Sequence, residues 1–378
     1  MVVFIYAQHL LGIGHLRRMS FLASALVTQG FQVHLVSGGM PVSNLAVDNI
    51  QLHQLPPVRS TDGKFDQLVD EHDRPITQLW QEKRSTKLLA LYDAFGPDVL
   101  ITETFPFGRR MMRFELLPLL KRAKQGSKPP LILSSIRDIL QPKQKPQRNQ
   151  EVLDWINLFY DKVLVHGDDS IATLGASFPF ANEITDKTFY SGFIVDPDTP
   201  NDFKAPVESA EVLVSGGGGA ASLPLLKAAI DAKPLSSLRN HTWRLLVGHN
   251  IDQMTFEALR RSARPGLVIE RNRNDFADLL RSCAVSVSQA GYNTVMDILK
   301  AEARAVLVPY ADSGELEQTI RATLLQAQGR AISVDEKALS AQTLASAIDQ
   351  AILNPVPKTQ YQMDGANMSA KLIKGWLN

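Results

Sequence analysis

Val212-Leu213-Val214-Ser215-Gly216-Gly217-Gly218-Gly219-Ala220-Ala221-Ser222 decides how this chain folds. A short, β-branched apolar run breaks into four consecutive glycines, and from about Ser222 the pattern turns helical. Strand, glycine turn and helix in that order open a βαβ unit, whose strands are parallel. The rhythm continues downstream. Apolar runs at 245–247, 267–269, 285–287 and 306–308 read as strands, with helices between them at 276–281, 294–303 and 315–328. It also holds upstream. Val2 to Ala7 is a β-rich run, Gly12 to Gly14 is a glycine loop, and Leu16, Met19, Leu22, Ala23 and Leu26 fall on one helical face. Gly30 stops that helix, and 31–37 alternates like a strand. Runs at 99–101, 131–133 and 162–165 read as further buried strands, while the polar stretches 56–73 and 141–150 read as long surface loops.

Between the two blocks, residues 196–206 are acidic, proline-rich and without period, the composition of a linker. The expected architecture is α/β: two Rossmann-like domains facing a cleft, with mainly parallel sheets. The first covers residues 1–196, a linker 197–206, and the second domain 207–356. The end of the chain, 357–378, is helix-like from Asn367 and is placed to cross back onto the first domain. Ligands of such sheets lie beyond the carboxyl ends of the strands, where the loops singled out below fall.

Composition narrows the class. The chain has 378 residues, 44% hydrophobic and 21% charged, enough for a core in each of two domains. The net charge is +1 from 40 basic and 39 acidic residues, which gives no footing for a nucleic-acid partner. A single cysteine, Cys283, excludes an internal disulfide, and its apolar context reads as core. The apolar start lacks a basic n-region, and no uncharged apolar stretch approaches the roughly 20 residues of a membrane span. The expectation is a cytoplasmic protein without a transmembrane segment.

Four motifs carry chemistry. The loop Ser215, Gly216, Gly217, Gly218, Gly219, Ala220 lets backbone N–H groups converge on an oxyanion, and the following helix aims its positive end at the same point. It lacks the Gly-Lys-Ser/Thr of a Walker loop and the glycine spacing of a dinucleotide fingerprint. Gly12-Ile13-Gly14-His15 places a histidine at a helix start, where the dipole keeps imidazole neutral and able to take a proton from a hydroxyl. In Gln289-Ala290-Gly291-Tyr292-Asn293-Thr294-Val295-Met296-Asp297 a helix is expected from Asn293 or Thr294. Asp297 on its first turn either holds the two hydroxyls of a ribose or closes a capping box with Thr294. Glu317 and Gln318 start another helix after a strand end; they either hydrogen-bond sugar hydroxyls or form a solvated first turn. Glu103 follows a strand end as well; it shares base duty or binds an acceptor, or it is a loop carboxylate paired with Arg109 or Arg110. His166 and His249, at strand ends, are second choices.

Those pieces, in that order, resemble the glycosyltransferase family 28 group of the GT-B fold, best from about Val212 to Gln328. The resemblance implies a donor-binding second domain and an acceptor-binding first domain. It places the donor diphosphate at Gly216 through Ala220 and the nucleotide ribose on Asp297, where the family has glutamate. The donor sugar falls on Glu317 and Gln318, where the family has paired glutamines, and the base near Ile269 to Asn272, including Arg271. The family's Gly-Gly-His loop is matched by Gly12 to His15, making His15 the catalytic candidate and Glu103 its rival. The family's second glycine-rich acceptor loop is replaced by Thr102 to Arg110, which argues against a lipid-linked peptidoglycan acceptor. The implied reaction is an inverting transfer from a UDP-sugar, such as UDP-N-acetylglucosamine, to an unidentified hydroxyl acceptor. No cofactor beyond that co-substrate and no metal is expected. The rival readings are a UDP-sugar 2-epimerase of the same architecture, a nicotinamide-dependent oxidoreductase and a non-catalytic nucleotide-sugar binder.

Overall fold

The computed structural model describes residues 1–10, 12–42, 45, 48–61, 67–142, 145–195, 211–217, 222–311, 316–358 and 360–377. The expected linker 197–206 and the glycine-loop residues Gly218, Gly219 and Ala220 lie outside them. The chain divides into two compact units, Met1–Asp196 with Tyr361–Asn378, and Pro197–Gln360.

Unit 1 is built on parallel strands β1 (Val2–Ala7), β2 (Gln32–Ser37), β3 (Gln51–Gln54), β6 (Val99–Glu103), β7 (Leu131–Arg137), β8 (Lys162–His166) and β9 (Thr188–Tyr190), in the order β3-β2-β1-β6-β7-β8-β9. Alternation along β1 serves two faces. Val3, Ile5 and Ala7 pack with Leu16, Met19, Leu22, Ala23 and Leu26 of α1 (Gly14–Thr28), while Phe4 and Tyr6 pack toward the opposite layer. That layer holds α2 (Gln78–Phe95), α3 (Arg113–Gln125) and α4 (Pro146–Phe159). Covered on both faces, these strands read as continuous apolar runs. Gly30 at φ +90° ends α1, as the sequence predicts, because a side chain is strained there. The polar stretch 56–73 is not wholly a loop: it holds an antiparallel pair, β4 (Arg59–Ser60) and β5 (Leu68–Val69). Within 141–150, α4 already begins at Pro146, which suits a first helical turn.

Unit 2 repeats the plan. Strands β10 (Val212–Ser215), β11 (Trp243–Val247), β12 (Leu267–Arg271), β13 (Val285–Ser288), β14 (Ala305–Leu307) and β15 (Ile332–Ser333) run parallel in the order β12-β11-β10-β13-β14-β15. One face is covered by α5 (Leu223–Ala232), α6 (Gln253–Arg261) and α10 (Ala341–Leu353). The remaining helices are α7 (Phe276–Ser282), α8 (Tyr292–Ala301) and α9 (Glu317–Ala327). The last helix, α11 (Gly365–Leu377), packs on α1 through Ala370 and Ile373 and so belongs to unit 1. Among the described residues, no helix is long and apolar enough to cross a membrane.

A fully buried polar node fastens the layers of unit 1. Arg84 of α2 donates Nε to Glu115 Oε2 of α3 at 2.7 Å and Nη2 to Glu115 Oε1 at 3.0 Å, and Tyr6 donates its hydroxyl to the same carboxylate. Arg84 Nη1 also donates to Gly38 O at 2.8 Å and to Pro56 O, and Nη2 to Gln8 Oε1 at 2.6 Å. Every charge in this node has partners, which is what makes its burial tolerable. Glu115→Ala leaves the Arg84 guanidinium buried without its counter-ion; a loss of about 3–5 kcal/mol of unfolding free energy is expected, read from urea unfolding of the full chain. An effect under about 1 kcal/mol would mean that water reaches Arg84.

Candidate functional site

In unit 1 the strand order reverses between β1 and β6, so the loops leaving those two strands open into one crevice. The loop after β1 leads into α1, whose second residue is His15. Glu103 ends β6 and is fully buried. Their side chains meet there: His15 Nδ1 lies 2.6 Å from Glu103 Oε1. Arg18, one turn along α1, donates Nη2 to the same oxygen at 2.5 Å, and Thr104 donates its hydroxyl to it at 2.5 Å. Thr104 is held at φ 64°, a conformation that costs a β-branched residue about 1–3 kcal/mol. Its backbone is fixed by donation to Ser135 O at 2.8 Å.

Charge settles the protonation of this pair. Burial on its own would raise the Glu103 carboxyl, but His15, Arg18 and Arg109 outweigh it and hold the group well below the usual carboxylate range. Burial pushes His15 down to about 4, against the pull of Glu103, and Arg109 and Arg137 add to the depression. Near neutral pH Glu103 is therefore ionised and His15 neutral. An ionised carboxylate only accepts, so Nδ1 carries the imidazole proton and Nε2 keeps its lone pair. Among the described residues, Nε2 has no hydrogen-bond partner.

Glu103 does not pair with Arg109 or Arg110 as one expectation had it. Arg109 donates Nε to Gln8 O at 2.9 Å and reaches Glu103 through its field alone, while Arg110 pairs with Glu151 at 2.7 Å. Gly12 is exposed, and a Cβ there would meet nothing within 4 Å; Gly14 is the first residue of α1. His166 has both ring nitrogens engaged, by Ser135 Oγ at 2.7 Å and Ser191 Oγ at 2.9 Å, and burial lowers it to about 3; it is a core histidine. His249 is exposed. Cys283 bonds Leu280 O, and burial raises its thiol to about 12, leaving it inert at neutral pH.

In unit 2 the order reverses between β10 and β13, bringing the loops after Ser215 and after Ser288 together. The glycine loop is described as far as Gly217. A Cβ on Gly216 would overlap the Ser222 side chain, and Gly217 sits at φ +67°, so both positions demand glycine. Gly217 O accepts from Asn272 Nδ2 at 3.2 Å, which ties the loop to the end of β12. The helix that follows, α5, starts at Leu223 with no side-chain cap at Ser222.

The other donor candidates separate into two groups. Gln289, Ala290 and Gly291 form the turn at the reversal, with Gly291 as the N-cap of α8. The helix begins at Tyr292, earlier than expected, so Asn293 and Thr294 lie inside its first turn and Asp297 falls on the second. Gly291 caps without a side chain, which removes the Thr294–Asp297 capping box. The remaining three brace the loops. Arg271 donates to Gly248 O at 2.9 Å and Ile251 O at 2.8 Å and stacks over Phe256. Glu317 is not solvated: it is buried and pairs with Arg321 at 2.9 Å, and Arg321 in turn donates to Ala290 O at 2.9 Å. Gln318 accepts from Tyr310 N at 3.1 Å. Arg18, Thr104 and Arg321 are site residues that the sequence reading passed over; only Arg18, three residues beyond His15 on a helix, had a readable signal.

Comparison with known proteins bears on the family and the fold. Residues 212–375 match the family model described as the glycosyltransferase family 28 C-terminal domain. The chain is 32% identical over 164 residues to the UDP-N-acetylglucosamine--N-acetylmuramyl-(pentapeptide) pyrophosphoryl-undecaprenol N-acetylglucosamine transferase of Phenylobacterium zucineum (strain HLK1), a match covering 42% of this chain and 43% of that protein. The chain thus matches less than half the length of this relative. In fold, it is similar over 100% of its length to 99% of the crystallised glycotransferase of kitacinnamycin, at TM-score 0.69 and 15% identity. It is also similar over 99% of both chains to MurG of Acinetobacter baumannii, at TM-score 0.63 and 15% identity. Both units together have the GT-B fold.

The His15–Glu103 geometry has a pH signature. Because the folded imidazole is depressed to about 4 from an ordinary 6.5, the unfolded chain takes up that proton first. The contribution of His15 to unit 1 stability is present above pH 6.5 and is lost as pH falls toward about 4. Nitrogen-15 NMR of the histidines at pH 6 is expected to show His15 neutral and protonated on Nδ1, with His15→Gln identifying the signal. A His15 that titrates near 6.5 would mean that the imidazole is solvated and not held by Glu103.

Proposed function

We propose that this chain, carrying a glycosyltransferase family 28 C-terminal domain at residues 212–375, is an inverting glycosyltransferase that moves a sugar from a UDP-sugar, such as UDP-N-acetylglucosamine, to a hydroxyl acceptor. The observation that carries the reading is the His15–Glu103 contact at the strand reversal of unit 1. Nδ1 donates to a buried, ionised carboxylate, so the acceptor-facing role falls to Nε2. There it takes the proton of the attacking hydroxyl. The positive charge then arising on the ring is stabilised by Glu103, which Arg18 and Thr104 hold in place. Glu103 is thus the partner of the base.

On the donor side, the hydroxyl oxygen attacks the anomeric carbon as the bond to the diphosphate oxygen breaks. One displacement inverts that centre, through a transition state with oxocarbenium character. Charge collects on the departing diphosphate. The glycine loop from Gly216 and the uncapped start of α5 supply N–H groups and a positive dipole end for it. Gln289 to Gly291, at the reversal, line the nucleotide, and Asp297 on the second turn of α8 takes the ribose hydroxyls. Arg271, Glu317 and Gln318 act through the loops they brace. With leaving-group charge met by amides, the transfer needs no metal, so rates in EDTA should equal those without it.

The decisive variant is His15→Ala. With donor and acceptor saturating, turnover should fall by about 10²–10⁴, with donor affinity unchanged. Glu103→Gln should lower turnover as well and move the acid limb of the rate profile. Full activity in His15→Ala would refute the base role. Release of UDP with a 2-epimerised sugar and no acceptor would replace transfer by epimerisation.

A further inference from the structure

One guanidinium joins three elements at the strand reversal of unit 2. Arg321, on α9, is 1% exposed. Its Nη1 donates to Ala290 O at 2.9 Å, in the turn after β13. Its Nη2 donates to Glu317 Oε1 at 2.9 Å, one helical turn back. The guanidinium also lies 5.6 Å from the ring centroid of Tyr292, the first residue of α8. Glu317 is buried as well, so the ion pair is shut from water.

Stability alone does not call for this arrangement. Taking both charges out of water can cost more than their attraction returns, and an apolar pair of the same volume often serves a fold as well or better. What an apolar pair cannot do is hold the Ala290 carbonyl. That bond has a consequence on the other side of the peptide. Among the described residues the one cis bond is Phe105–Pro106, so the Ala290–Gly291 peptide is trans. In a trans peptide the carbonyl and the next N–H point in opposite directions. With Ala290 O fixed on Arg321, the Gly291 N–H is turned away from α9. It has no hydrogen-bond partner among the described residues. Gly291 is half-buried, and a Cβ on it would meet nothing within 4 Å, so the turn borders open space. As the N-cap of α8 it brings no side chain to fix its own path.

Building on the transferase reading, which seats the nucleotide at this turn, we propose that Arg321 is a positioning residue for the donor, its bond to Ala290 O aiming the Gly291 N–H at an oxygen of the nucleotide. Glu317 is then the counter-ion that steadies Arg321, and not a hydrogen-bond partner of the donor sugar. Their spacing of four residues places both on one helix face, so the guanidinium is set before the donor arrives.

The test needs no acceptor. Binding of UDP and of UDP-N-acetylglucosamine to the full chain is measured by calorimetry, with the folding of each variant checked by circular dichroism. Arg321→Leu should weaken both ligands about tenfold, and equally. Arg321→Lys keeps the charge but lacks the planar fork that spans two partners; it should weaken UDP by about threefold, and it decides the matter if Arg321→Leu does not fold. Glu317→Leu should weaken both ligands alike. Ser236→Ala removes a hydrogen bond to Asp349 elsewhere in unit 2, and it should lower stability with both affinities unchanged. Native UDP affinity in whichever Arg321 variants fold would overturn the positioning role. So would a Glu317→Leu chain that loses affinity for the UDP-sugar alone, which marks a direct sugar contact, or an equal loss in Ser236→Ala, which marks general loosening. A native chain that binds neither ligand would sink the transferase reading and this inference together, whereas UDP binding indifferent to Arg321 sinks the inference alone.

Discussion

A parallel sheet whose strand order reverses must leave a gap, because the crossovers on either side of the reversal run to opposite faces. The candidate site residues of both units gather at such gaps. In unit 1 the reversal lies between β1 and β6, and it brings together His15, just after the first strand, and Glu103, at the end of the fourth strand of the domain plan. In unit 2 it lies between β10 and β13, and it brings together the glycine loop and the Gln289–Gly291 turn. Residues 88 apart in sequence meet at 2.6 Å because the topology gives their loops nowhere else to go.

The loops at the two reversals are stabilised differently. In unit 2 the support comes from side chains reaching backbone carbonyls. Asn272 holds Gly217, Arg321 holds Ala290, and Arg271 holds Gly248 and Ile251. Each of these side chains donates to a loop carbonyl; Gly248 O accepts from Ile251 N as well, at 3.2 Å, and Gly217 N donates to Ser215 Oγ at 3.4 Å. In unit 1 the loop after β1 is fixed by a chain of buried partners, from Glu115 through Arg84 to Gln8, and from Gln8 O to Arg109. The guanidinium whose field depresses His15 is therefore positioned by the same node that fastens α2 and α3 to the sheet.

Much of this was legible in the sequence, and the limits have physical causes. The βαβ opening of each unit could be read because strands buried on both faces are apolar without interruption and their glycines are demanded by geometry, as at Gly30 and Gly216. The edge strands β3, β9 and β15 were missed because they are short and only partly buried, so their pattern is weak. The helix α2 was missed because Arg84, a core residue, breaks its apolar stripe. His15 and Glu103 could each be proposed from their places after strands. Their pairing could not, since no local spacing encodes it. Arg18 lies three residues beyond His15 on a helix, a spacing that could be read, but a buried arginine on an apolar face looks like a solvated one until its partner is known. The solvated alternative for Glu317 stood open for the same reason, its partner Arg321 being visible only as one of several polar residues on α9.

Two buried carboxylates in unit 1, Glu103 and Glu115, show why the former is assigned to the candidate site and the latter to architecture. Both oxygens of Glu115 have partners: Oε1 takes the Tyr6 hydroxyl and Arg84 Nη2, and Oε2 takes Arg84 Nε. Glu103 is lopsided. His15, Arg18 and Thr104 all crowd Oε1, while Oε2 is buried with no hydrogen bond among the described residues. As a stabilising device this is poor, since a buried ion pair with an unsatisfied atom is commonly worse than an apolar replacement of the same volume. Thr104, strained beside it, adds to the cost. A fold with a fully satisfied ionic node elsewhere in the same unit had no need of a second, incomplete one for stability. Arrangements that break local rules in this way cluster at sites of chemistry. Here the excess of donors on one carboxylate oxygen keeps the charge in place, and the imidazole nitrogen that faces away from it keeps its lone pair.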